Sequence, residues 1–291
     1  MFSFINNMRL KTPAQTLLTL CVLLLVPNAF AEQRPNIILI VADDLNWDDL
    51  GAYGNTGVKT PNLDKLAKNG MRFDSAFLTA SSCSPSRASM ITGRYPHNTD
   101  AEQLHWPLPK EQLTVSQTLR DAGYWTAAAG KWHLGEDTKQ RFDEVREPKY
   151  GIDEPSGSAQ WVPLLEMRPK EKPFFLWLAS WDSHRPFYQG EYPHSHSQED
   201  VRLPPYYPAT ELYLNDFAAY YDEISRLDEH VGKVVSTLER QGVKGNTLII
   251  FVADNGRPFA RDKTTLYDSG VKTPFIAHWP DGIAKGSISD S

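Results

Sequence analysis

Cysteine is scarce in this chain: 291 residues hold two, Cys21 and Cys83. That excludes a small scaffold stapled by disulfides, so the fold must rest on an ordinary hydrophobic core. Positive charge is also in short supply. Thirty Lys and Arg stand against 36 Asp and Glu, a formal net charge of −6. With no basic patch interleaved with aromatics, that balance excludes a nucleic-acid module, and no nucleic acid is expected as a partner. An anionic ligand would have to be held by local cations in a pocket, not by the field of the whole protein. Internal repeats, heptad runs and low-complexity tracts are absent, which excludes solenoids and coiled coils.

Only one long apolar run is present. Leu17 to Val26 follows the basic residues Arg9 and Lys11 and precedes Ala29-Phe30-Ala31. A basic start, a short apolar stretch and a small-x-small site form the layout of a secretory signal peptide over residues 1–31. The run is short for a spanning helix, although an uncleaved anchor would begin the same way. Cleavage behind Ala31 leaves residues 32–291 as an exported chain, periplasmic or extracellular, with no stable membrane insertion. Cys83 would then be the sole thiol, and a lone thiol in an exported protein calls for a chemical reason. Hydrophobic residues at 41 % and charged residues at 23 % suit one large α/β enzyme domain.

Asn36 to Ala42 is an unbroken apolar and β-branched run, the mark of a strand buried on both faces, and it ends in Asp43-Asp44. Thr247 to Ala253 has the same character and ends in Asp254-Asn255-Gly256. Pro173 to Ala179 leads to Trp181-Asp182-Ser183-His184, and Tyr124 to Gly130 leads to Lys131-Trp132-His133. Helical patterns separate these strands. Pro61 to Gly70 has a proline start and a glycine stop, Ser86 to Thr92 is short, and Thr114 to Ala122 puts Val115, Leu119 and Ala122 on one face. Leu214 to Gln241 is long and amphipathic. Thr273 to Pro280 reads as a further strand before a polar tail from Asp281 to Ser291. Strands alternating with helices predict a large, mainly parallel sheet sandwiched by helices. Ligands of such sheets sit at the carboxyl ends of the strands, so Asp43, Asp44, Lys131, His133, His184, Asp254 and Asn255 should share one rim.

Asp43, Asp44, Asp254 and Asn255 offer only oxygen ligands, a set suited to Ca2+ or Mg2+; zinc would want His or Cys. Three carboxylates on one rim repel unless a cation or a proton offsets them. The alternative is that Asp-Asp and Asp-Asn-Gly are turn residues closing two strands. Asp48 and Asp49, in the loop from Leu45 to Tyr53, read as solvated or capping groups.

Cys83-Ser84-Pro85-Ser86-Arg87, continued to Thr92-Gly93-Arg94, is the most specific pattern in the chain. C-x-P-x-R followed by T-G-R resembles the signature of the type I, formylglycine-dependent sulfatases of the alkaline phosphatase superfamily. Gly130-Lys131-Trp132-His133-Leu134-Gly135 resembles the family's second signature. Lys263-Thr264-Thr265-Leu266-Tyr267-Asp268-Ser269-Gly270 resembles its lysine-bearing turn with two glycines replaced. Ser81 to Ser89, Asp182 to Arg185 and Asp254 to Phe259 are similar to the sulfamidase branch and to bacterial polysaccharide sulfatases. The resemblance runs from residue 35 to about residue 286. It implies an alkaline-phosphatase-like α/β fold over residues 32–291, with the family's smaller C-terminal subdomain missing, so that the chain reads as truncated.

The resemblance also implies roles. Cys83 would be oxidised to formylglycine by a maturation enzyme, which accounts for the lone thiol. Ca2+, with Mg2+ as the alternative, would be held by Asp43, Asp44, Asp254, Asn255 and an oxygen of residue 83. Arg87, one helical turn after Cys83, would orient the hydrated aldehyde, and Asp254 would help to deprotonate it. Lys131 and Lys263 would stabilise charge, His184 would protonate the leaving group, and His133 would take a proton from the second hydroxyl. In an extended segment Lys131 and His133 point the same way. His97, Asn98 and His105 follow the nucleophile helix as candidates to touch a sugar, or as ordinary loop residues. The expected substrate is a sulfated carbohydrate, O- or N-sulfated. Two alternatives accompany this reading: a phosphonate or phosphate ester hydrolase of the same superfamily, and an inactive truncated fragment that binds a glycan.

Overall fold

The two unbroken apolar runs form the centre of the sheet. In the computed structural model, which describes residues 34–149, 155–187 and 196–290, strand β1 is Asn36–Ala42 and β6 is Thr247–Ala253. The signal peptide expected over residues 1–31 lies outside the described residues. Strands β2 (Met71–Phe73), β3 (Trp125–Gly130), β4 (Glu144–Arg146), β5 (Phe174–Ala179), β7 (Phe275–His278) and β8 (Ser287–Ser289) complete one sheet. Its order is β4-β3-β5-β1-β6-β7-β2-β8. From β4 to β6 all neighbours are parallel; β7 runs antiparallel to both β6 and β2, and β8 is parallel to β2.

The register decides where the site falls. β1 pairs with β5 and β6 so that Val41 stands opposite Ala179 and Val252, and Ala42 opposite Ala253. Asp43 and Asp254 therefore step off adjacent strands at the same level. β3 ends beside β5, with Gly130 opposite Ala179. Gly130 has φ 93°, and a Cβ there would lie 1.7 Å from the Ala179 carbonyl oxygen, so only glycine lets the chain turn into Lys131.

Helices α1 (Pro61–Lys68), α2 (Cys83–Thr92), α3 (Val115–Asp121), α4 (Trp161–Met167), α5 (Glu211–Arg240) and α6 (Asp268–Val271) flank the sheet. Alternate strand residues point to opposite layers. Ile38, Ile40, Leu176, Leu178, Ile249 and Phe251 pack with α1, α4 and the apolar stripe of α5. Val41, Ala128, Trp177 and Val252 share a second cluster with Ala88 and Ile91 of α2, Trp132 and Phe142. Each fully buried side chain of this size stabilises the fold by roughly 1.5–3 kcal/mol before entropy is counted. The described residues from Pro35 onward form one compact unit.

Several expectations shift. α5 starts at Glu211, earlier than the apolar pattern, because the Thr210 hydroxyl caps it by accepting from Tyr213 N. In α3, Val115 and Ala122 are exposed; Ser116 is the residue turned inward, its hydroxyl bonded to that of Thr114. The polar tail after Pro280 includes β8, held by backbone pairing to β2 and not by apolar burial.

Candidate active site

β1 and β6 deliver four oxygen-bearing side chains to one spot. Asp44 takes a left-handed conformation, φ 56°, which a short Asp tolerates. The turn is laced to its neighbours: Asp43 N donates to Asp182 O (2.9 Å), Ser183 N donates to Asp43 O (2.6 Å), and Asp44 N donates to Asp254 Oδ1 (3.2 Å). Ligand atoms of Asp43, Asp44, Cys83 and Asp254 all lie within 4.8 Å of one another, and all four residues are buried. Asn255 Nδ2 donates to Asp44 Oδ1 (2.7 Å) and Gly256 O (2.9 Å). Its Oδ1 is buried without a partner.

Cys83 opens α2 and is 2 % exposed. Its Sγ lies 3.5 Å from Asp43 Oδ1 and accepts from Lys263 Nζ at 3.2 Å. Burial, then the carboxylates of Asp43 and Asp254, push the thiol well above its usual pKa, so it stays protonated and is a poor nucleophile. One turn along, Arg87 is fully buried. Its Nε donates to Asp254 Oδ2 (2.8 Å) and its Nη1 to Lys131 O (3.1 Å), while Nη2 has no partner. Lys131 Nζ pairs with Asp43 Oδ2, and Lys263 Nζ donates to Asp44 Oδ1 at 2.6 Å. The Lys263 loop is anchored to the loop before Cys83: Thr264 N donates to Ser81 Oγ (2.9 Å), and Ser81 Oγ donates to Gly270 O (2.8 Å).

Burial alone would raise Asp43, but Lys131 and Arg87 outweigh it and hold the carboxyl far below its usual range. Asp44 is pushed up to about 6 by burial and by Asp43 beside it, and Asp254 is raised for the same two reasons. Three crowded carboxylates and an orphaned amide oxygen make a hard-oxygen donor set that fits a divalent cation of the Ca2+ or Mg2+ type.

Above the cluster opens a cavity of about 620 Å³, lined by Asp43, Lys131, His133, His184, His105, Trp181 and the segment from Glu147 to Lys149. The Lys131–His133 segment is not extended, since His133 has φ 59°; both residues reach the cavity through that turn. Burial and the Lys131 charge pull His133 down to about 3, so it is neutral. His184 Nε2 lies 3.9 Å from Asp44 Oδ2. The residues brought together are therefore Asp43, Asp44, Cys83, Arg87, Lys131, His133, His184, Asp254, Asn255 and Lys263, with His105 at the side. His97 and Asn98 do not line the cavity. They are exposed in the turn Pro96–Asn98, where His97 stacks on Tyr95 at 5.8 Å, because the left-handed Gly93 redirects the chain after α2.

The family model for sulfatases matches residues 35–291. The chain belongs to the sulfatase family. It is 31 % identical to the N-acetylgalactosamine-6-sulfatase of Rattus norvegicus, over 90 % of this chain and 60 % of that protein. It is 33 % identical to the N-sulphoglucosamine sulphohydrolase of Homo sapiens, over 93 % of this chain and 60 % of that one. It thus spans about 60 % of the length of these relatives. The solved structure of Ps i-CgsB in complex with k-i-k-neocarrahexaose superposes with a TM-score of 0.71 at 27 % identity, covering 89 % of this chain and 68 % of that one.

Two charged groups behind the centre of this sulfatase-family chain escape sequence reasoning. Asp49, expected to be solvated, is 1 % exposed: its Oδ2 accepts from Arg257 Nε (2.8 Å) and Tyr220 OH (2.9 Å), and Arg257 also pairs with Asp48. Tyr220 OH also lies 3.2 Å from Asp44 O. On the other side, Arg226 of α5 pairs with Asp182 and Glu223, all three buried. One signal was available. Glu223 and Arg226 fall among Tyr220, Ile224 and Leu227 on α5, and charges within an apolar stripe need partners.

Proposed function

We propose that this chain carries the catalytic centre of a sulfuric ester hydrolase that removes O- or N-linked sulfate from a sulfated carbohydrate. The observation that carries it is a buried, protonated Cys83 at a helix start, ringed by three carboxylates and by Arg87, Lys131 and Lys263. A thiol in that setting is inert, whereas an oxidised residue there would be fully engaged. The names of the two relatives, both enzymes of sulfated amino sugars, support a carbohydrate substrate.

Asp43, Asp44, Asp254, Asn255 and an oxygen of residue 83 would hold Ca2+, which when bound supplies positive charge to a sulfate oxygen. Oxidised to formylglycine by a maturation enzyme and hydrated, residue 83 would supply an oxygen nucleophile in place of sulfur. The remaining work falls to fixed side chains. Arg87 orients Asp254 and offers its free Nη2 to residue 83. Lys131 and Lys263 hold the anionic oxygens of the substrate in a site whose donors are already in place. His184 Nδ1 bonds to Arg185 O, so a protonated ring presents Nε2–H to the oxygen or nitrogen that leaves sulfur. His133, neutral, accepts a proton at Nδ1. Sulfur would exchange its bond to that oxygen or nitrogen for one to the oxygen of residue 83, the sugar departing with the proton from His184, and sulfate would leave as His133 takes the proton of the second hydroxyl.

The signal-like N-terminal segment supports an exported, periplasmic or extracellular location. No helix among the described residues is long and apolar enough to cross a membrane.

The test is the mass of the proteolytic peptide carrying Cys83, taken from exported protein, followed by rates on aryl sulfate and aryl phosphonate esters. A thiol-to-aldehyde mass deficit with faster sulfate turnover is expected. An unmodified cysteine in a host that matures other sulfatases, or faster phosphonate turnover, would overturn the reading.

A further inference from the structure

Two histidines from separate loops meet at the side of the cavity. His133 comes from the turn after β3 and His105 from the loop after α2; both have left-handed backbone, φ 59° and 69°. His105 Nδ1 lies 2.7 Å from His133 Nε2, with ring centroids 4.8 Å apart. At that separation one nitrogen carries the hydrogen and the other accepts it. The contact is braced, because His105 N donates to Ser84 Oγ at 2.8 Å and so ties its loop to the residue after Cys83.

The hydrogen can be assigned. His133 Nδ1 is buried and has no partner. If His105 donated, His133 would carry its hydrogen on Nδ1, a buried N–H with no acceptor, which native structures avoid more strictly than a spare lone pair.

We propose that His105 is a positioning residue: its Nδ1 accepts the Nε2–H of His133, fixing the tautomer in which Nδ1 is bare and able to take a proton. The proposal rests on the sulfatase reading above, in which His133 is a proton acceptor. As His133 Nδ1 gains a hydrogen, the ring becomes an imidazolium, and the lone pair of His105 Nδ1 stabilises the Nε2–H of that cation. No proton leaves Nε2 in the step.

The test has two arms on the full-length protein. In the first, 15N spectra of resting protein, with the His133 ring assigned through His133→Asn, read which nitrogen is protonated. His133 protonated at Nε2 is expected, turning into a tautomer mixture in His105→Leu; an Nδ1–H tautomer in the wild type, or no change in His105→Leu, overturns the proposal. In the second, His105→Leu should lower kcat by about 100-fold, the usual worth of a positioned base, with KM little changed. His105→Asn, whose side-chain oxygen can accept the same hydrogen, should recover part of that loss. Equal losses in both variants, or a change confined to KM, overturn it. If the wild type turns over no sulfate ester, the proposed function fails, and the spectra alone still decide the tautomer.

Discussion

Arg226 is the most informative residue to change, although it does not line the cavity. From the middle of α5 it reaches Asp182 with contacts of 2.6 and 3.2 Å and also pairs with Glu223. The three residues are 5 %, 0 % and 3 % exposed. Arg226→Met keeps most of the stem and removes the cation between two buried carboxylates. Breaking a buried pair from one side costs about 3–5 kcal/mol, because the remaining charge stays desolvated. At about 2–4 °C per kcal/mol for a domain of this size, the Tm near pH 7 should fall by roughly 6–20 °C. The damage should also reach the proposed metal site. Asp182 O and Ser183 N hold both backbone groups of Asp43, so Ca2+ added to the variant should raise its Tm by less than it raises the wild type. Circular dichroism melts with Ca2+ and with chelator give both quantities. Arg226→Met combined with Asp182→Asn and Glu223→Gln should recover most of the lost stability, since neutral partners need no cation. A single variant melting within about 2 °C of the wild type, with an unchanged Ca2+ response, would refute this account.

Other consequences are open to direct measurement. Cys83→Ser should keep its melting temperature and lose turnover, since a serine carries one heteroatom on its β-carbon and cannot return to an aldehyde; full activity in a host that does not oxidise serine would contradict that. Gly130→Ala sets a Cβ 1.7 Å from Ala179 O at φ 93° and should unfold more easily by several kcal/mol, read from urea midpoints. Asp228 caps α1 by accepting from Leu63 N (2.7 Å) and Asn62 N (3.1 Å), and burial pushes its carboxyl up to about 6. A raised folded pKa means the folded state binds the extra proton, so stability is fullest below about pH 4 and is lost as the pH rises through 6, by up to about 3 kcal/mol. Asp228→Asn should remove that slope between pH 4 and 6; an identical pH profile in both proteins would count against it.

β1 and β6 are legible because strands covered on both faces cannot afford polar interruptions, so Asn36–Ala42 and Thr247–Ala253 stand out, and the acids that end them mark the rim. α5 is legible for the opposite reason, a sustained helical stripe. β2, β4 and β8 are three residues each, held by backbone pairing that leaves no side-chain period. The reversal of direction at β7 depends on a partner choice that no local pattern encodes. In the site, Cys83 and Arg87 are readable through a one-turn spacing. Asp49 is not, because its partner Arg257 is 208 residues away and a charged loop looks solvated until the two are brought together. His97 and His105 looked alike in sequence; the turn after Gly93 separates them.

The contact between Lys263 and Cys83 spans 180 residues of chain and helps to close a pocket that leaves Cys83 2 % exposed. A ribosome adding about 5–20 residues per second needs roughly 10–40 s to travel that far. Residue 83 is thus born early and sealed late. Any enzyme that modified it would work against a clock set by the distance between two residues, and slower synthesis downstream of Cys83 would lengthen its opportunity without altering a single contact.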